Sequence, residues 1–305
     1  MEWFKPKIEK KNDLEALKIK EQWESQIKIL SKLGILEIFP GSKELGIRGI
    51  DGKEYPVPKP EDIMARLEAN KEIIGAKMEQ GFTKLLLEPF GMPLDMLTKK
   101  YEKTILKHFE EKKLLATKEN PTDPDVPLDL DVNQPLYKWD GYNNADGDDK
   151  LVYFPKEFGS NHGGKTKTEI LSDPENGWRV WLLENMPNIP REGKGKEIGK
   201  RKQMETNKTP KDYLKLLGTG EYKNESGLTP EADIMYALTQ LEETNQVTND
   251  YQGKGSLSYQ VGAYFVSGGG VPCSFWNRGD RRAGLDGDGP AYRDVDVGCR
   301  CGVRV

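Results

Sequence analysis

The last 35 residues differ in composition from the rest of the chain. Residues 271–305 contain no Lys, Glu, Gln or Met, although the whole chain has 35 Lys and 29 Glu. Average composition would place roughly four Lys and three Glu in such a window. The window holds instead six of the eleven Arg and five Asp. Because its charged side chains are short or stiff and Gly is frequent, the sequence favours a loop-heavy surface at the end of the chain.

The first 118 residues alternate between helix and strand signals. A helix capped by Asp13 ends at Gly34, and a second helix runs from Pro60 to Gly81. The apolar run Phe82–Leu87 predicts a buried strand, and Pro93 opens a third helix. Residues 1–118 are therefore expected to form a small N-terminal α/β module.

A linker rich in Pro and Asp is expected at residues 119–134, followed by a larger unit at residues 135–305. Extended patterns predict strands in this unit, and the pairs Thr209-Pro210 and Thr229-Pro230 predict capped helix starts. The predicted strands are Lys150–Phe154, Trp178–Glu184 and a half-buried strand across Leu257–Phe265. The predicted fold class is α+β.

Charge, hydropathy and cysteine content exclude several classes of protein. A net charge of -4 gives no general attraction to nucleic acid, and no apolar run is long enough to insert into a membrane. The N-terminus lacks the apolar core of a secretory signal, so we expect a cytoplasmic protein, with association with a virion or cell surface left open. The 3 Cys are expected to be unpaired thiols in a reducing compartment.

Residues Gly159–Thr166 match the phosphate-loop pattern G-x-x-x-x-G-K-[ST]. The context does not favour nucleotide binding, because Pro155 interrupts the preceding strand. The helix that would follow ends within about two turns, at Asp173-Pro174. An NTP-dependent enzyme that uses this loop is kept as an alternative function.

An acidic run near residue 146 could be interpreted as a calcium loop. Asp146, Asp148 and Asp149 offer hard oxygen ligands, but the run lacks the ligand spacing and the terminal Glu of known loops. A solvated turn is favoured, and no metal site is expected.

Four stretches near the C-terminus carry a resemblance to a known family: Tyr259–Phe265, Gly268–Pro272, Trp276–Gly279 and Gly298–Val305. Together they resemble the variable proteins of diversity-generating retroelements. Those proteins end in a C-type lectin-like domain of the formylglycine-generating-enzyme type. In that family, adenine-directed mutagenesis rewrites codons of the last strands and loops, and the codons that result never encode Lys, Glu, Gln or Met. The resemblance covers residues 135–305, implies a C-type lectin-like fold there, and accounts for the composition of the variable region at residues 271–305.

The resemblance also divides the variable region into two sets of positions. Large packing residues, strand ends and turns would form a framework, which we expect to bury Trp276 and Leu285. The framework positions are Trp276, Arg278, Gly279, Leu285, Tyr292, Gly298, Arg300 and the terminal Val303-Arg304-Val305. The positions expected to be rewritten, exposed and ligand-binding are Cys273, Ser274, Phe275, Asn277, Asp280, Arg281, Arg282, Asp286, Asp288, Ala291, Arg293, Asp294, Val295, Asp296, Cys299 and Cys301.

The residue types in this region favour binding over catalysis. Neither His lies in residues 271–305, so no base is available for a Cys-His nucleophile. The absence of Glu and a single Asn also disfavour calcium-dependent sugar binding. Arg and aromatic side chains dominate protein interfaces, so the expected partner is an unknown protein or other macromolecule. We expect no enzymatic activity and no cofactor. A structural attachment protein of a phage or cell is the remaining alternative.

Overall fold

The computed structural model describes residues 5–147, 150–253 and 255–305, with side chains from residue 18 onward. The described residues form a mixed α+β structure. The helices are α1 (Lys5–Lys32), α2 (Pro60–Ala69), α3 (Lys71–Glu79), α4 (Leu94–Glu110), α5 (Lys167–Ile170), α6 (Pro210–Leu216) and α7 (Pro230–Thr244). The strands are β1 (Glu37–Ile38), β2 (Leu45–Arg48), β3 (Glu54–Pro56), β4 (Phe82–Glu88), β5 (Leu136–Lys138), β6 (Leu151–Tyr153), β7 (Arg179–Glu184), β8 (Glu197–Ile198), β9 (Arg201–Lys202), β10 (Ser226–Gly227), β11 (Leu257–Tyr259), β12 (Ala263–Phe265), β13 (Val271–Asn277), β14 (Arg282–Asp288), β15 (Val297–Cys299) and β16 (Cys301–Arg304).

The helix boundaries near the N-terminus differ in two places from the sequence prediction. Helix α1 begins at Lys5, so Asp13 lies inside the helix and does not cap it. The predicted end is confirmed, since Gly34 adopts a left-handed backbone with φ of 62°. The helix predicted from Pro60 to Gly81 is two helices that meet at Asn70, a residue whose φ of -117° is not helical. Helix propensity is low for Asn because its side chain competes for backbone hydrogen bonds.

A four-stranded antiparallel sheet joins the two units predicted from the sequence, with strand order β10-β16-β7-β4. Strand β4 pairs with β7 from Phe82 opposite Glu184 to Glu88 opposite Arg179. Both strands are almost completely buried, as expected for a sheet covered on both faces. The boundary predicted at residue 118 therefore divides a shared sheet, because β4 finds its hydrogen-bonding partner in the larger unit.

Helix α1 covers the outer edge of β4 with two glutamine side chains. The Gln22 amide accepts from the Leu85 amide at 2.8 Å and donates to the Thr83 carbonyl at 3.1 Å. Gln26 Oε1 accepts from the Leu87 amide at 3.4 Å. These side chains satisfy backbone groups that an edge strand would otherwise leave open to pairing with another chain.

Helix α7 occupies the centre of the molecule, where its residues from Pro230 to Leu241 are buried. It packs against α4 and β4 and also contacts α1 and β13. The predicted cap is confirmed, since Thr229 Oγ1 accepts from the Ala232 amide at 3.1 Å. The cap predicted at Thr209 is confirmed as well, with a capping box to Asp212. The same apolar core thus includes residues from both predicted units.

A mixed five-stranded sheet carries the C-terminal region, in the order β15-β11-β13-β14-β5. Strands β13 and β14 form an antiparallel hairpin, while β15 and β5 are parallel to their neighbours. The single strand predicted across residues 257–265 is two strands, β11 and β12, in different sheets. The chain turns at Gly262, where an added Cβ would lie 2.4 Å from the Gly227 carbonyl oxygen. Only glycine allows so close a backbone contact.

Residues 119–134 contain no helix or strand and lie mostly on the surface. They are held by backbone hydrogen bonds from Ala116 to Val126 and from Leu128 to Leu114, at 2.8 and 2.9 Å. Among the described residues, no helix is long and apolar enough to cross a membrane.

Candidate functional site

The two faces of the β13–β14 hairpin have different surroundings. Side chains alternate between faces along a strand, and Ser274, Trp276 and Leu285 all point toward α7 and the core. On the opposite side lie half-buried residues that we call the open face, namely Tyr137, Phe275, Asn277, Arg282, Asp286 and Asp288. Five of these six are positions predicted from sequence to bind ligand. Tyr137 is the exception.

Aromatic rings line the middle of the open face. The Phe275 ring lies over Gly284, where an added Cβ would be 2.3 Å from the ring. The Tyr251 ring meets Phe275 edge-on, with centroids 5.9 Å apart. Tyr137 lies on the other side of Gly284, its register partner across β14 and β5. Because Gly284 has no side chain, aromatic rings lie close to the backbone there and form an aromatic surface.

Carboxylates occupy the end of the open face away from the hairpin turn. Asp286 is paired in register with Cys273, and Cys273 Sγ lies 3.8 Å from Asp288 Oδ2. Burial, and next the negative charge of Asp286, raise the pKa of Asp288. Asp286 in turn raises the pKa of Tyr137, and burial adds to the effect. This end of the face is electrostatically negative.

The expectation of exposure is wrong for four of the predicted ligand-binding positions. Cys273, Ser274, Cys299 and Cys301 are buried, with exposed fractions of 1%, 7%, 1% and 3%. Ser274 lies on the inner face, where it donates to Asp233 and accepts from Asn249 Nδ2 at 2.9 Å. The three thiols are free, and burial raises the pKa of each, so they are poor nucleophiles.

The remaining predicted positions reach solvent at two ends of the hairpin. Asp280 and Arg281 form its turn, next to Asn277 and Arg282. The other end is the loop that follows β14, with Ala291, Arg293, Asp294, Val295 and Asp296, of which Val295 is 59% exposed.

Side-chain contacts help to attach the loop that follows β14 to neighbouring segments. Arg293 Nε donates to Asn207 Oδ1 at 2.8 Å, and Asp296 lies 2.5 Å from Arg191. These contacts position a loop that has no secondary structure of its own.

Most framework positions are held by packing or hydrogen bonds. Trp276 and Leu285 are 1% and 0% exposed, which confirms the expected burial. Arg300 donates to the carbonyls of Met186 and Pro187 and to Asn249 Oδ1. The terminal segment is pinned in the same way, since β16 pairs with β7 and Val303 is 2% exposed.

Four other framework positions, two of them glycines, differ from one another in burial and contacts. Gly298 leaves no space for a Cβ, which would lie 2.7 Å from Ile189. Gly279 is exposed, but its amide donates to Gln252 Oε1 at 2.6 Å. The prediction that Tyr292 packs as a framework residue is wrong, since the residue is 49% exposed. The loop after β14 carries its ring outward. Arg304 is an exposed residue whose guanidinium lies 4.2 Å from the Phe154 ring centroid.

The last three backbone amides of the phosphate-loop match are already hydrogen-bonded within the protein. The amide of Gly164 donates to His162 Nδ1 at 3.1 Å, that of Lys165 to the Tyr153 carbonyl at 3.1 Å, and that of Thr166 to Glu169 at 2.7 Å. The helix that follows, α5, has four residues. A phosphate cradle needs unoccupied amides at the start of a helix, so the geometry gives the NTP alternative no support.

Of the acidic run, Asp146 forms an internal ion pair. Its carboxylate lies 2.5 Å from Lys167 Nζ, and Lys167 also contacts Glu231 at 2.8 Å. Lys167 has no exposed side-chain surface, and it lies in the same cluster as the buried Tyr153 hydroxyl. Asp148 and Asp149 lie outside the described residues.

Sequence reasoning missed Tyr137, Tyr251 and Asp250 as parts of the candidate site. Tyr137 reaches β14 through a parallel pairing across the length of the larger unit, and no local pattern encodes such a contact. It also missed an open groove of about 1200 Å³ beside the hairpin turn, which Gln252 and the segment 184–192 help to line. The groove mixes Lys and Glu side chains and so has no evident charge preference.

Neither a metal centre among the described residues nor a related protein identifies the function of the site. The described residues include no group of three or more His, Cys, Asp or Glu side chains that could hold a metal ion. Comparisons of the chain with protein-family models, with curated proteins and with solved structures found no match.

Proposed function

We propose that this protein binds a macromolecular ligand through a C-terminal surface that a retroelement diversifies. The observation that carries the proposal is the composition of residues 271–305, in which Lys, Glu, Gln and Met are all missing while Arg and Asp are abundant. A solvated surface without functional constraint would use Lys and Glu freely. Adenine-directed mutagenesis removes all four residue types at once.

The distribution of exposed positions supports this proposal. Twelve of the sixteen positions expected to be rewritten are exposed or half-buried, on the open face, in the hairpin turn or in the following loop. Their side chains can change without emptying the core, because the strands that carry them are anchored by buried residues such as Trp276 and Leu285. We further propose that residues 135–305 form a C-type lectin-like domain, as the resemblance implies.

We infer that the surface binds and does not catalyse. Its nucleophiles are buried thiols of raised pKa, and neither His108 nor His162 belongs to this region. Exposed Arg and aromatic side chains are those that dominate protein–protein hot spots. A protein is therefore the proposed class of ligand.

The genomic DNA beside the coding sequence tests the proposal. We expect a reverse transcriptase gene and a near-identical non-coding copy of codons 271–305 that differs only at adenines. Among sibling copies, substitutions should fall on the twelve surface positions and spare Trp276 and Leu285. A locus without such a copy, or substitutions spread evenly over buried and exposed positions, would contradict the proposal.

A further inference from the structure

The middle of the open face is an aromatic surface. Phe275 on β13 and Tyr137 on β5 are the register neighbours of Gly284 on its two sides, and the Phe275 ring lies over the glycine, which has no side chain of its own. Both rings are half-buried, so part of each remains available to a partner. A planar group that lies on this surface would contact two rings.

Among the described residues, the charge at one end of the aromatic surface is uncompensated. Asp286 accepts from the Gly287 amide at 2.8 Å, and Asp288 contacts the Cys273 thiol. Within residues 5–147, 150–253 and 255–305, neither carboxylate forms an ion pair with Lys, Arg or His. Two neighbouring carboxylates without a cation attract a positive group from outside.

The chain itself places a guanidinium at the opposite end of the aromatic surface. Arg282 Cζ lies 5.3 Å from the Tyr137 ring centroid. Arg282 is also held by Asp280 in the hairpin turn and by Gln134 just before β5. This contact shows that the Tyr137 ring accepts a guanidinium at cation–π distance. The end of the aromatic surface near Asp286 has no such group among the described residues.

We propose that the open face binds an arginine side chain of a partner protein, which packs on Tyr137 and Phe275 and places its guanidinium on Asp286 and Asp288. Arginine fits better than lysine, because a planar guanidinium both stacks on rings and forms two parallel bonds to carboxylates. The inference rests on the proposed function. It names the chemistry of the ligand that the surface with this particular sequence recognises.

A labelled short peptide of alternating Gly and Arg tests the inference by fluorescence anisotropy at low ionic strength. The matched peptide has citrulline in place of Arg, which keeps the shape and removes the charge. The variant is Asp286→Asn/Asp288→Asn, and its control is Glu61→Gln/Asp62→Asn on α2, which makes the same change in net charge at an exposed site. Thermal melts establish that both variants are folded.

We expect the Arg peptide to bind and the citrulline peptide to bind roughly tenfold more weakly or not at all. The variant Asp286→Asn/Asp288→Asn should weaken binding by about the same factor, and Tyr137→Leu by severalfold, while the control double variant leaves binding unchanged. Equal weakening in both double variants would show general charge attraction and overturn the inference. So would equal binding of both peptides, or no binding at all.

Failure of this inference is distinguishable from failure of the proposed function. If the Arg peptide does not bind while the genomic locus contains the adenine-diversified copy, the surface is diversified and recognises another ligand class. If the locus lacks the copy, the proposed function fails whatever the peptide does.

Discussion

Arg278 and Asp250 form a two-point ion pair that fixes the base of the hairpin turn. Arg278 Nε donates to Asp250 Oδ1 at 2.9 Å, and Nη2 donates to Oδ2 at 2.7 Å. The Asp250 side chain is 0% exposed, and that of Arg278 is 34% exposed. The turn of the hairpin is thereby attached to a neighbouring loop, so that exposed positions can vary on a fixed backbone.

Removal of this ion pair should destabilise the protein. We expect Arg278→Ala to lower the free energy of unfolding by about 2–3 kcal/mol, because it leaves a buried carboxylate without its charged donor. The matched control is Arg281→Ala in the same turn, whose partner Asp129 is exposed. That change should cost less than about 1 kcal/mol. Urea denaturation measures both, and equal losses would show that the Asp250 pair has no special role.

Exposed and buried positions of residues 271–305 should differ strongly in tolerance. Trp276→Ala is expected to cost about 3–5 kcal/mol, as for a core aromatic residue. Asp280→Ser and Val295→Ser should each change stability by less than about 0.5 kcal/mol, since neither side chain is part of the core. Denaturant melts of the three variants test this. Large losses at Asp280 and Val295 would show that the segment is ordinary structural core or interface.

Ser274 should behave as a structural residue, although it is one of the positions predicted from sequence to be rewritten. Ser274→Ala removes a donor to the buried Asp233 carboxylate, and we expect a loss of about 1–3 kcal/mol. The control is Ser267→Ala, at an exposed turn position. If the two alanine variants melt at the same temperature, the inner-face hydrogen bonds of Ser274 do not contribute to stability.

Lys167 is expected to be essential for folding, in contrast to Lys165 of the phosphate-loop match. Lys167→Met leaves Asp146 and Glu231 buried without their cation, which should cost about 3–5 kcal/mol. Lys165 is exposed, so Lys165→Met should change stability by less than about 0.5 kcal/mol. Thermal unfolding of the two variants separates the roles. A stable Lys167→Met protein would contradict the burial of this cluster.

The raised pKa of Asp288 predicts that removing its charge stabilises the protein by an amount that depends on pH. Because the folded-state pKa lies above the ordinary value of 3.8, ionised Asp288 destabilises the folded state at neutral pH. Its destabilising effect fades as pH falls through the folded-state pKa toward 3.8. Asp288→Asn should therefore be more stable than the wild type at pH about 7 and nearly equal to it at pH about 4. A gain that is the same at both pH values would assign it to another cause.

Local sequence patterns predicted much of the secondary structure. The caps at Thr209 and Thr229, the stop at Gly34 and the buried strand after Gly81 depend on neighbours a few residues away, and all are found. Patterns failed where a distant contact decides the conformation. The stretch 257–265 alternates like one strand but breaks at Gly262, because that backbone packs against Gly227.

The α+β class, the capped helices and the anomalous composition of residues 271–305 can be read from residue types along the chain. The accessibility of those residues depends instead on contacts between segments that are distant in sequence. Ser274 and Phe275 are adjacent in sequence, yet one donates to Asp233 in the core and the other lies on the open face. Strand register assigns the face, and the register of β13 is fixed by β11 and β14 and by the core they cover.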